Sequence, residues 1–316
     1  MNRLNLAIGS LILCLQLASC SPSGVYTAVE DLVFEDPVFR DCVVSEAKRH
    51  AWDGAGHVQT LHCVNPTGQK ISSLSGIENL VNVREVDLMH NAIADLSPLV
   101  ALNKLEQLNF DDNLISEIPN GISHISVTHL SLDHNMISDI SAISAFQRLE
   151  VLNLASNQIA DVTSLQANQM LQVLNLSHNQ ISDISTLGLL PNLRALDLGN
   201  NQISDLSPLV NLPLLEHLYL NDNLVSDLTP LAGLLGIREI NLANNEIKNI
   251  EPLIGLEYIW RLSLDHNPIE RTELLLEFSE LEMITLRGVE NLSCEVITKL
   301  IEEVGENALI IDDECP

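Results

Sequence analysis

Aromatic side chains are scarce in this 316-residue chain: two Trp, three Tyr and five Phe make up 3% of it. That excludes an aromatic core, and with hydrophobic residues at 46% the interior has to be built from aliphatic branches. Positive charge is short as well. Fifteen Lys and Arg stand against 43 Asp and Glu, a formal charge of −28 at pH 7. This balance excludes nucleic acid as a partner, because phosphate backbones are bound by basic surface, and it sets the body of the protein against anionic membrane surface. No apolar run beyond the N-terminus approaches the ~20 residues of a membrane helix. The sequence contains no GxSxG, HExxH, P-loop or CxxC spacing. Its histidines and carboxylates fall in rows instead of converging as nucleophile, base and oxyanion site, so no enzyme is expected.

What the chain has in abundance is one phrase. LxLxxNxI, with minor substitutions, recurs from Val86 to Ile269, and its asparagines are Asn91, Asn113, Asn135, Asn157, Asn179, Asn201, Asn223, Asn245 and Asn267, each 22 residues after the last. A fixed period of this length with two strand-spaced apolar residues and an asparagine is the leucine-rich-repeat signature. The pattern resembles the short repeats of the internalins and of the leucine-rich regulatory subunits of protein phosphatase 1, over roughly residues 61–290. The resemblance implies a leucine-rich-repeat solenoid of the α/β class, a right-handed superhelix with a parallel β-sheet on its concave side, a 3₁₀ or irregular convex side and a helical cap at each end. It also implies a binding scaffold without chemistry.

The ends divide the chain further. Met1 to Ser19 read as a signal peptide, with Arg3 ahead of an apolar run from Leu4 to Leu17. Leu17-Ala18-Ser19-Cys20 resembles the bacterial lipobox, which implies lipidation at Cys20; the alternative is an ordinary cleavage site beside an incidental cysteine. Ser21 follows where aspartate would retain a lipoprotein at the inner membrane of a Gram-negative cell. The expectation is therefore a bacterial envelope protein touching membrane only through its lipid anchor, at the outer membrane if the host is Gram-negative. Residues 20–35 read as a lipidated tether, 36–63 as an N-terminal cap, 64–290 as repeats and 291–316 as a C-terminal cap. Asp36-Pro37 starts a helix carrying Val38, Phe39, Cys42, Val43 and Ala47, and Ser293 starts one carrying Val296, Ile297, Leu300, Ile301 and Val304. Ala308 to Ile311 read as a last strand.

With Cys14 removed and Cys20 lipidated, Cys42, Cys63, Cys294 and Cys315 remain, an even number in an exported protein. Of three connectivities, only Cys42 with Cys63 and Cys294 with Cys315 fits an elongated array. Each bridge closes a loop of about twenty residues, worth roughly 3 kcal/mol in the loop-entropy account.

Three further rows invite a functional reading. The ladder asparagines carry two donors and an acceptor, suited to bonding backbone of their own turn and its neighbour, and are assigned to structure. Counting back 22 residues from Asn91 places the first ladder position at Gln69, beside a Pro66-Thr67-Gly68 insertion. Asp95, Glu117, Asp139, Asp161, Asp183, Asp205 and Asp227 form an acidic row that either binds Ca²⁺ or caps the turns that follow. Calcium, on this row or at the tighter group Asp111, Asp112, Asp133 and His134, is the only cofactor under consideration. His90, His134, His178 and His266 precede ladder asparagines on alternate turns, ~10 Å apart, too far for one metal to bridge. The outward positions of the strands carry no core duty. Among them Asp87, Asn109, Asp111, His129 and Asp133 make an acidic first third, and His217, Tyr219 and Arg261 are the anchors further on. These eight are the expected contacts for a protein or peptide partner of basic character. A structural envelope spacer and a cation-dependent adhesin are the rival readings.

Overall fold

The computed structural model describes residues 27–65, 67–121, 126–290, 292–305 and 308–312. The expected signal peptide, Cys20 and Cys315 lie outside them. Among the described residues no helix is long and apolar enough to cross a membrane.

Twelve strands form one parallel sheet in sequence order. They are β1 (Thr60–His62), β2 (Glu85–Asp87), β3 (Gln107–Asn109), β4 (His129–Ser131), β5 (Val151–Asn153), β6 (Val173–Asn175), β7 (Ala195–Asp197), β8 (His217–Tyr219), β9 (Glu239–Asn241), β10 (Arg261–Ser263), β11 (Met283–Thr285) and β12 (Leu309–Ile310). From β2 to β11 every residue pairs with the one 22 positions on, as Leu152 with Leu174. The chain is therefore a leucine-rich-repeat solenoid. Its interior is aliphatic, as the shortage of rings requires: Leu152, Leu154, Ile159 and Leu165 of one turn are wholly buried against their counterparts in the next. Each such side chain contributes about 1.5–3 kcal/mol of burial.

The ladder asparagines explain why the turns stack without drift. Asn157 Nδ2 donates to the carbonyls of Leu132, Leu154 and Ala155, and its Oδ1 accepts from the N–H of Ile137 at 2.9 Å. The same set recurs at Asn113, Asn135, Asn179, Asn201, Asn223, Asn245 and Asn267. On the convex side the chain forms 3₁₀ turns such as Thr163–Ala167, Ser185–Leu189 and Ser207–Asn211. Segments of five residues are too short to hold a full α-helix, and in Ser207–Asn211 Pro208 sets the first turn as well. The acidic row opens these turns. Asp95, Asp139, Asp161, Asp183, Asp205 and Asp227 each accept the N–H two residues on, at 2.7–2.8 Å. Glu117 instead forms an isolated bridge with Asp139.

At the N-terminal end α1 (Pro37–His50) covers the first turn, capped by Asp36, with Phe39, Val43 and Ala47 buried. Cys42 and Cys63 form a disulfide that ties this helix to the end of β1. At the other end α2 (Cys294–Val304) is capped by Ser293 and packs beside β12. Cys294 is disulfide-bonded as well.

Two expectations are corrected. Residues 27–35 are not free tether: Val29, Leu32 and Phe34 are buried against the cap, Phe34 edge-on to Phe39 at 5.2 Å, because three large apolar side chains so close to an open hydrophobic end gain more by packing than by hanging in water. Nor does Gln69 carry the first ladder bond. Thr60 pairs with Glu85, an offset of 25, so the three inserted residues fall after the strand and Asn65 donates to Asn91 Oδ1 at 3.0 Å.

Candidate functional site on the concave face

Alternation along three-residue strands turns the middle residue into the core and the outer two onto the concave surface. Stacking then converts each strand position into a row running the length of the sheet. Two places on this surface depart from a plain polar face.

The first lies over β1 to β5, a shallow depression of about 430 Å³ lined by His62, Glu85, Asp87, Gln107, Asn109 and His129 among others. It brings together three of the expected contact residues, Asp87, Asn109 and His129. Asp87 stands 3.8 Å from His62, and His129 Nδ1 lies 2.9 Å from Thr128 Oγ1. Asp111 and Asp133 sit apart, at the C-terminal ends of their strands. Asp111 is buried, and its Oδ1 accepts from Ser131 Oγ at 2.6 Å and from the N–H of Asp133 at 2.8 Å. Burial pushes its carboxyl above the usual range, against those hydrogen bonds, with Asp133 and Asp112 adding to the rise. Asp133 in turn holds His134 Nδ1 at 2.8 Å and raises the imidazole's pKa through that bond. Asp111 is thus occupied inside the protein, where an outward contact was expected.

The second place lies over β8 to β10. His217, Glu239 and Arg261 are register partners in adjacent strands. His217 Nδ1 is 3.3 Å from one Glu239 oxygen, and Arg261 Nη1 is 3.0 Å from the other. Tyr219 faces the same carboxylate; burial first, then Glu239, pushes its phenol up to about 12. All three expected anchors therefore converge on one buried acid. Glu239 was not among them, although its place between His217 and Arg261 in the same row was legible once the register was fixed. Burial also raises Asp197, one strand further, against a hydrogen bond from the Gly199 N–H. The guanidinium and imidazole remain about 47% and 36% exposed, so the cluster is closed on its inner side and offers donors on its outer one. The depression and the cluster are separated by β6 and β7, where Val173 and Ala195 leave a flat apolar strip with Val173 exposed.

The histidines before the ladder asparagines have a backbone explanation that the sequence reading missed. His90, Asp112, His134, Ser156, His178, Asn200, Asp222, Asn244 and His266 all have φ between 50° and 60°, and Gly288 follows at 64°. Asn, Asp, His and Gly are the residues that enter the left-handed region at least cost. The signal was present in the sequence as a column drawn almost wholly from that set. Among the described residues no group of three or more His, Cys, Asp or Glu is arranged to hold a metal ion.

A family profile described as leucine-rich repeats in two copies matches residues 125–167, 169–211 and 213–255. No curated protein matches the sequence. Among solved structures, an internalin C2 from Listeria monocytogenes is 32% identical, with 77% of this chain and 100% of that one covered and a TM-score of 0.57. A second Listeria monocytogenes internalin, inlF, is 24% identical over 93% of this chain and 95% of that one, with a TM-score of 0.77. The plant peptide hormone receptor RGFR1, solved in complex with RGF2, shares the fold at 19% identity and a TM-score of 0.62, with 82% of this chain and 47% of the receptor covered.

Proposed function

Since the chain belongs to the internalin-like leucine-rich-repeat proteins, we propose that it is a binding module without catalytic chemistry, lipid-anchored to a bacterial envelope through Cys20, that takes a protein or peptide across its concave face. The observation that carries this reading is the cluster around Glu239. A buried carboxylate bridging an imidazole and a guanidinium on the solvent face of a sheet does nothing for the core. It fixes Arg261, with Tyr219 beside the same carboxylate, in a defined orientation before a partner arrives; Arg and Tyr are two residue types that dominate binding energetics. The acidic depression at the other end of the face favours a partner with basic groups there, steered by charge and weakened by salt. The fold itself accommodates a peptide in the plant receptor complex.

The test is a photo-crosslinking residue at Val173, between the two places, irradiated in intact cells. The expected result is a discrete adduct with another protein that disappears when Tyr219→Ala and Arg261→Ala are combined. A folded, correctly localised protein that captures nothing from this position would sink the reading. Cys20→Ala is expected to move the protein from the membrane to the soluble fraction.

A further inference from the structure

One flank of the solenoid departs from the rest of the molecule in charge. Where the 3₁₀ turns run back toward the sheet, the five equivalent stretches 166–170, 188–192, 210–214, 232–236 and 254–258 contain a single charged residue, Glu257, in a chain that is 18% charged and carries −28. Charge returns at Arg148 on one side and at Glu277 and Glu280 on the other. Within this band Met170, Leu189, Val210, Leu214, Leu235 and Tyr258 are exposed, Leu189 at 52%, Leu235 at 59% and Tyr258 at 63%.

Gly233 and Gly255 lie in the same band on adjacent turns. Neither has a positive φ, and a Cβ at either would meet nothing within 4 Å. Nothing inside the protein requires glycine there. Glycine is used where another backbone or side chain comes close, and here the only approach is from outside.

We propose that this flank is the contact between two copies of the chain. Over the charged faces two copies present like charge to each other, and at an ionic strength of ~0.15 M that repulsion reaches about 8 Å. On this band they can meet without it. The band is also complementary to itself. A two-fold axis lying along 210–214 in the plane of contact sets 188–192 opposite 232–236 and 166–170 opposite 254–258, so that Leu189 comes over the open shelf at Gly233, Ala167 over the one at Gly255, and Met170 against Tyr258. Five turns at about 5 Å span ~20–25 Å, which belongs to the smaller specific interfaces and to a reversible dimer. Both concave faces stay open in such a pair, giving the module two equivalent sites and the gain in avidity that two linked sites confer.

The experiment places a photo-crosslinking residue at Leu214, beside the proposed axis, in the full chain in the cells that make it. The expected product is an adduct at twice the mass of the uncrosslinked chain run beside it. Combining Leu189→Glu with Leu235→Glu is expected to reduce it at least tenfold while leaving the unfolding temperature unchanged, since both side chains are more than half exposed. Three results overturn the proposal: no product of double mass, products with other proteins only, or a double-mass product that survives the paired substitution. The crosslinker at Val173 reports on the concave partner alone, so either reading can fail while the other stands.

Discussion

At the residue scale, stability is decided by side chains that serve the backbone. Asn157 satisfies three carbonyls and one N–H belonging to two turns, all out of reach of water. Leaving a buried backbone group without a partner costs about 1–3 kcal/mol, and Asn157→Ala strips several at once. The expected loss is at least about 3 kcal/mol, read from urea denaturation; a loss within error of zero would show that water replaces the amide. Its neighbour Ser156, at φ 53°, bears a different cost. A Cβ in the left-handed region costs roughly 1–2 kcal/mol, a cost that Ser156 already bears and glycine removes, and β-branching adds to it, so Ser156→Val should destabilise further while Ser156→Gly is neutral or stabilising. The ordering of the two melting temperatures is the check, and the reverse ordering would refute the conformational account of the whole histidine column.

At the scale of elements, the cap shows how one side chain couples two of them. Asp36 Oδ1 accepts from the N–H groups of Val38 and Phe39 and so starts α1. Its Oδ2 accepts from the N–H and hydroxyl of Ser72 and the N–H of Ser73, which belong to the first repeat. Burial works to raise its pKa, and these hydrogen bonds overcome it, leaving the carboxyl below its ordinary value. A folded pKa below the unfolded one means that the stabilisation is present above the unfolded value of ~3.9 and is lost as pH falls through the folded value. Asp36→Ala is expected to cost about 1 kcal/mol for the helix cap alone and more for the orphaned Ser72 and Ser73 groups. In a solenoid each turn contacts only its neighbours, so the effect should be local. Hydrogen exchange should quicken over α1 and β1 and stay unchanged beyond β4, and the difference from the unaltered protein should fade below about pH 4. Uniform acceleration along the chain would mean that the cap and the array unfold as one unit.

At the scale of the whole molecule, what was legible and what was not divide by periodicity. Anything repeated every 22 residues could be read: strand register, the aliphatic core, the amide ladder, and the aspartates that open the convex turns. Whatever occurs once needed coordinates. The packing of Val29, Leu32 and Phe34 on the cap, the shift of the first turn caused by residues 66–68, and the burial of Glu239 beneath Tyr219 and Arg261 have no second copy to announce them. Charge is the property that belongs to the molecule as a whole, and it sets the last expectation. Folding gathers 43 carboxylates on one elongated body, with the acidic row at a spacing of about 5 Å between turns. Each neighbouring pair repels by on the order of 1 kcal/mol in water before screening. Raising NaCl from ~0.01 M to ~0.2 M shortens the Debye length from about 30 Å to below 10 Å and should raise the unfolding temperature by several degrees. Calcium chloride at equal ionic strength should do no better at the row, because one oxygen of each of its six aspartates already holds a turn N–H. The same salt series should weaken capture of a basic partner on the concave face and strengthen self-association on the uncharged flank, since it screens attraction in the first and repulsion in the second. If both moved in one direction, charge would not be what separates the two surfaces.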